Sequence, residues 1–146
     1  LCFEQYATSK ITHVDQLQEI STFGFRGEAL ASIAAVAKVT LVTKEAHVDE
    51  GTKIHIEQNV LVSKDAVPAT VGTDITVKDI FYNVPARRKF LKKRETEWQQ
   101  IRHLFFAVCL AHLEIDFKLY SEDILIYACT ATSSLSERWQ QLFDHN

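Results

Sequence analysis

The run Gly24-Phe25-Arg26-Gly27-Glu28-Ala29-Leu30, followed by an alanine-rich helical pattern, constrains this chain more than any other feature. Two glycines three apart let the backbone turn tightly and approach a ligand without interference from a Cβ. The helix that follows points its first free N–H groups, and their partial positive charge, back into that turn. A phosphate group suits such a place, so the segment reads as an anion-binding loop leading into a helix. A plain glycine turn between two helices accounts for the glycines equally well.

Composition narrows the setting. The chain has 146 residues, enough for one ordinary domain with a real core. Charged residues at 24% and apolar residues at 47% are average for a globular protein, which excludes a disordered or fibrous class. No apolar stretch is long enough for a membrane-spanning helix. Cys2, Cys109 and Cys129 are widely spaced with no C-x-x-C pair, which argues for reduced thiols and against a structural zinc; no metal site is expected. There is no methionine, and the chain opens on Leu1-Cys2-Phe3-Glu4 as if inside a folded element, so an excerpt of a longer protein is expected. The net charge of −3 does not announce nucleic-acid binding, yet six cations fall within Arg87–Arg94.

Helices and strands interleave along the chain. Val14 to Ile20 reads as a short amphipathic helix, with Val14, Leu17 and Ile20 on one side and Thr12 the better N-cap. Glu28 to Ala37 is apolar or small nearly all round, which predicts a buried helix. Val39–Thr43, Thr52–Glu57 and Gly72–Ile80 read as strands, Ile75 and Val77 facing one side of the last, and Val60–Ser63 extends the meander. Asn83-Val84-Pro85 stops that run, because proline cannot donate to a ladder and restricts its predecessor. A basic helix is expected from Ala86 to about Lys93, with Phe90 and Leu91 anchoring one face. A stronger helix is expected from about Glu97 to Leu113, opened by the capping box Thr96–Gln99. Its predicted buried stripe is Trp98, Ile101, Leu104, Phe105, Val108 and Leu110. Ile115–Tyr120 and Ile124–Cys129 read as a hairpin around Ser121-Glu122-Asp123, and a second capping box, Ser134–Glu137, opens a last helix to Phe143. The pattern predicts an α/β (α+β) two-layer sandwich, helices covering one face of a mixed, largely antiparallel sheet.

Four blocks then occur in order: Ala7-Thr8-Ser9-Lys10-Ile11, Gly24 to Ile33, Gly72-Thr73, and Phe81-Tyr82-Asn83-Val84-Pro85-Ala86-Arg87-Arg88-Lys89-Phe90-Leu91. Together they closely resemble the MutL family of DNA mismatch-repair proteins, members of the GHKL (Bergerat-fold) ATPases. The resemblance implies an incomplete ATPase domain. Residues 1–128 would form its C-terminal portion with an ATP lid at 4–30, and 129–146 a connection and short helix leading to a transducer domain. It implies that Thr8, Ser9 and Lys10 of the lid touch the nucleotide, and that backbone N–H groups of Gly24, Phe25, Arg26, Gly27, Glu28, Ala29 and Leu30 cradle its phosphates. Thr73 would lie near the adenine, on a central strand, where a hydroxyl hydrogen bond is worth roughly 1 kcal/mol net. Arg26 suits a phosphate by its guanidinium fork, or equally pairs with Glu28. Arg88, Lys89, Lys92, Lys93 and Arg94 would meet DNA phosphates in a sequence-independent, salt-sensitive way; a solvated helix face is the plainer reading of the same charges.

The family's E-x-x-x-N and D-x-G-x-G segments, which supply the general base, the Mg²⁺ ligand and the adenine contact, do not occur here and are expected before Leu1. A γ-phosphate lysine is expected after Asn146. The parent would hydrolyse ATP and close as a dimer, while this stretch alone would be inactive. The implied cofactors are ATP and Mg²⁺, and the implied partners DNA, a MutS-type mismatch sensor and a second MutL-type subunit, with no membrane involved. The location would be cytoplasmic, at the nucleoid, or nuclear in a eukaryote. Three alternatives stand beside this: a MutL-like scaffold that has lost hydrolysis, another GHKL class, and a KH-type module built on the G-x-x-G loop.

Overall fold

A computed structural model describes residues 2–11, 13–20, 22 and 24–144. Thr12, the expected N-cap, lies outside them. The element order is a short 3₁₀ helix at Val14–Glu19, then α1 (Ala29–Ala34), β1 (Lys38–Lys44), β2 (Gly51–Glu57), β3 (Val60–Val67), β4 (Gly72–Lys78) and α2 (Pro85–Arg88). There follow α3 (Arg94–Ala111), β5 (Phe117–Ser121), β6 (Ile124–Cys129) and α4 (Leu135–Phe143). The chain divides into two compact units, Leu1–Phe90 and Leu91–Asn146, so the expected boundary at 128/129 falls within the second.

The first unit is built on a sheet of order β3-β2-β1-β4 in which every pairing is antiparallel. Side chains alternate across it because the strand period is two. Val39, Leu41, Ile54 and Ile56 share one face, and Ala34 of α1 packs there on Val39 and Ile56 with Phe3. Ile75 and Val77 stand beside Leu41 and Val39 on that face but stay 45% and 43% exposed. The other face is polar: Thr40 Oγ1 meets His55 Nδ1 at 3.1 Å, and His55 Nε2 meets Glu57 Oε1 at 3.1 Å. β2 and β3 are joined by Gln58 and Asn59, both at positive φ, the geometry that matches strand twist in a two-residue hairpin. Among the described residues β4 is an edge strand, so Thr73 sits at a sheet edge and not on the expected central strand.

The helix expected over Ala86–Lys93 is only the four-residue α2. Like charges at helical spacing repel, and the expected anchor fails: Phe90 is 83% exposed, with no face to bury. The next helix begins at Arg94, earlier than expected, so Thr96 lies within its first turn and does not cap it. The Glu97 carboxylate instead accepts the Lys92 backbone N–H at 2.9 Å.

The second unit packs α3 and α4 with the hairpin β5–β6. The inward face of α3 matches the expected stripe only in part, at Phe105 and Leu110. Ile101 and Leu104 are exposed, while Cys109 is fully buried with Cys129 and Leu142, ringed by Phe105, Phe106, Leu110 and Phe117. Arg102 takes a near-helical position on the same side, its guanidinium carbon 5.6 Å from the Phe106 ring centre. The second half of the helix, Leu104–Ala111, is apolar at every position, so periodicity left the choice of face there to its neighbours. Burial pushes the Cys109 thiol up to about 12, helped by the adjacent Cys129. Arg138 of α4 is also fully buried; its Nη2 donates to the carbonyls of Leu113 and Ile115 at 2.8 and 2.9 Å. Ser134 caps α4 as expected, accepting the Glu137 N–H, but the Glu137 carboxylate turns to the Thr132 hydroxyl and leaves the box half formed.

Candidate functional site

The lid segment and the glycine loop come together around one open cavity of about 670 Å³. Thr8, Ser9, Lys10, Gly24, Phe25, Arg26, Gly27, Glu28, Ala29 and Leu30 all line it, joined by Cys2, Ala7 and Ser32. What unites segments twenty residues apart is backbone against backbone. Gly27 has φ +67, and a Cβ there would lie 2.4 Å from the Ala7 carbonyl oxygen and 2.9 Å from its nitrogen. The Tyr6 N–H donates to the Gly27 carbonyl at 3.0 Å, from a residue itself at φ +64. Only glycine fits between them. Gly24 differs, with open space where its Cβ would be, so the close approach rests on Gly27 alone.

The polar groups divide between those already committed and those free to meet a ligand. The Thr8 hydroxyl accepts the Lys10 N–H at 3.1 Å, closing a local turn. Arg26 pairs with Glu28 at 3.2 Å, its side chain 72% exposed, and an exposed pair of this kind is worth about 0–1 kcal/mol. The guanidinium can therefore exchange its carboxylate for a phosphate at little cost. Lys10 is exposed. The first backbone bond of α1 runs from the Ser32 N–H to the Glu28 carbonyl at 2.9 Å, so the N–H groups of its opening turn are left to other partners. The set fits a di- or triphosphate: backbone donors, two exposed cations, and a volume in the range of small-ligand sites. Among the described residues, no three of His, Cys, Asp and Glu gather closely enough to hold a metal ion.

Thr73 is not part of this cavity. Its hydroxyl lies 2.8 Å from that of Thr43 and lines a separate hollow of about 510 Å³ with Val42 and residues 68–74. The basic residues gather no more than the sequence already placed together. Arg88 ends α2, Lys89 follows it, and Lys92 and Lys93 are exposed. Arg94 is drawn into an ion pair with Glu122, which holds its guanidinium above the ordinary range through that hydrogen bond. Sequence reasoning did not single out Cys2, Ala7 or Ser32 as site residues, although Ala7 and Ser32 fall within the blocks that carry the resemblance.

The chain is similar in sequence and fold to known proteins. The chain is 47% identical over 123 residues to a DNA mismatch repair protein MutL of Pelodictyon phaeoclathratiforme, matching 84% of this chain and 20% of that protein. It is 43% identical over 143 residues to the MutL of Thermoanaerobacter pseudethanolicus, matching 98% of this chain and 23% of that protein. Among solved structures, the Aquifex aeolicus MutL ATPase domain complexed with ADP superposes with a TM-score of 0.76 at 32% identity, over 92% of this chain and 53% of that one. This chain belongs to the MutL family. No family model matches it. The α+β fold with its antiparallel sheet is that of the MutL ATPase domain, and the chain spans between a fifth and a quarter of the length of the MutL proteins just named. No described helix is long and apolar enough to cross a membrane.

Proposed function

We propose that this chain supplies the ATP lid and phosphate-binding loop of a MutL-type mismatch-repair ATPase. The observation that carries the reading is the single cavity at which residues 7–10 and 24–30 meet, closed by Gly27 against the Ala7 backbone. The α1 N–H groups and Lys10 take the phosphates, and Arg26 leaves Glu28 to join them. Phosphate contact orders the lid, an order–disorder change of the kind that switches ATP-driven proteins. The ordered lid then offers a surface to a second MutL-type subunit. Exposed cations at Arg88, Lys89, Lys92 and Lys93, with Arg94 once released from Glu122, hold DNA by its backbone. A MutS-type sensor passes the mismatch signal to the closed dimer. Thr73 serves the adenine side only where further polypeptide completes the sheet beyond β4.

The general base and the Mg²⁺ ligand come from outside this stretch, so the parent protein hydrolyses ATP and the stretch alone does not. Mg²⁺ bound to the triphosphate supplies charge neutralisation there. The place of work is wherever the DNA is, the bacterial cytoplasm or a eukaryotic nucleus. Titration of the full-length gene product with N-methylanthraniloyl-ADP tests the reading. Saturable binding that Gly27→Ala weakens about a hundredfold supports it, and no binding up to about 1 mM, a range that covers typical nucleotide affinities, sinks it.

A further inference from the structure

The end of α1 remote from the cavity is capped in an unusual way. A six-residue helix is far too short to hold itself, and its last carbonyls need partners from elsewhere. Three donors arrive from two turns distant in sequence. The Asn59 N–H donates to the Ala34 carbonyl at 3.2 Å, and the Phe81 N–H to the Val36 carbonyl at 2.6 Å. Between them the Asn83 side-chain Nδ2 donates to the Ala35 carbonyl at 2.9 Å. The loop that delivers two of these donors is strained. Phe81 has φ +60, a region that bulky side chains rarely adopt, and Asp79, of a type that tolerates it, has φ +54. Tyr82 Oη and Asn83 Oδ1 are buried there without a hydrogen-bond partner among the described residues. Asp79 is tied down by Lys38 at 3.0 Å, and the Lys38 ammonium also lies 5.2 Å from the Tyr82 ring centre.

A loop that merely ended β4 before Pro85 would need neither the strain nor the orphaned polar atoms. Strain of this kind persists where the surroundings over-determine a conformation, and it gathers at functional sites. The consequence of the loop's geometry is to fix one end of a helix about 9 Å long, whose other end lies at the Gly27 cavity. We infer that Asn83, together with the Phe81 N–H, is a positioning residue of the nucleotide site. Through α1 it sets where the N–H groups of Ala29 and Leu30 point. Asn83 also stands two residues before Pro85, the first residue of α2. A displacement of α1 by a ligand is thereby passed to the start of the basic segment, without any contact between that segment and the nucleotide. This rests on the nucleotide reading of the cavity.

The test uses the full-length protein, with N-methylanthraniloyl-ADP as probe. Asn83→Asp keeps the shape and removes the donor; it is expected to weaken binding about tenfold, the ordinary consequence of losing a buried hydrogen bond. Asn83→His, which restores an N–H at a similar reach, is expected to return affinity to within about threefold of the original. Amide hydrogen exchange in the unmodified protein gives an answer that does not depend on any variant folding. Saturating ADP is expected to slow exchange at Asn59 and Phe81, since coupling between two sites is reciprocal. If the unmodified protein fails to bind the probe, the nucleotide reading itself is wrong. If it binds, then affinity retained within about twofold in a folded Asn83→Asp, or exchange at Phe81 unmoved by ADP, overturns the positioning role.

Discussion

The two units bury their apolar surface with different materials. The first relies on the backbone: a four-stranded sheet, alanines at Ala31, Ala34 and Ala37 that let α1 lie close, and turns with positive φ at Gly27, Asn59 and Phe81. The second relies on the shapes of large side chains, with five aromatic rings of α3, α4 and the hairpin packed together: Phe105, Phe106, Phe117, Tyr127 and Phe143. The difference teaches where a sequence motif carries information. A backbone constraint admits one or two residue types and leaves a signature. An aromatic cluster admits many arrangements and leaves almost none.

Substitutions can break this contrast. The largest effect is expected from Gly27→Ala in the first unit. An L-residue at φ +67, driven into the Ala7 backbone, costs on the order of 2–3 kcal/mol and should weaken nucleotide binding about a hundredfold. Gly24→Ala, with open space at its Cβ, should stay within about threefold, so equal losses at the two glycines would refute the backbone account. In the second unit, Leu142→Ala should lower stability by about 2–5 kcal/mol in denaturant melts, because the side chain is 2% exposed within the cluster. Leu104→Ala, at 68% exposed, should stay within about 0.5 kcal/mol; a larger loss would return Leu104 to the buried stripe from which the structure excludes it.

A smaller effect is expected at the basic segment. Lys92→Ala with Lys93→Ala should reduce DNA affinity severalfold. It should also flatten the slope of log K against log salt by about one for each DNA phosphate left unneutralised, as measured by fluorescence anisotropy. The smallest effect concerns the buried thiol. The folded pKa of Cys109 lies above its ordinary value of 9.0, so the folded state holds its proton more tightly. Its contribution to stability is complete below that value and is lost as the pH rises toward about 12. Iodoacetamide at mildly alkaline pH should accordingly label the exposed Cys2 and spare Cys109, as read by mass spectrometry.

Much of the first unit was legible in advance. The strands follow their period-two pattern, and the residues named for the loop and lid, Thr73 apart, line one cavity. Thr73 was legible as a strand residue only; its place at an edge depends on which strands lie beside β4. The basic run was legible as charge and not as shape. Nothing in the sequence of cations says that Phe90 finds no face to bury, and that decides where α2 stops.

What the sequence by itself determined is the set of positions where chemistry leaves no choice: glycine at 27, proline at 85, the alternating strands, and the serine that caps α4. Each follows from sterics or hydrogen bonding within a few residues, so the local chain carries the whole cause. Only the tertiary structure decided that Gly27 meets Ala7, that Asn83 caps a helix forty-eight residues earlier, and that α3 turns Cys109 inward in place of Leu104. Those outcomes are set by which surfaces remain after the neighbours have packed, and the second half of α3, apolar at every position from Leu104 to Ala111, gives no face an advantage until they have.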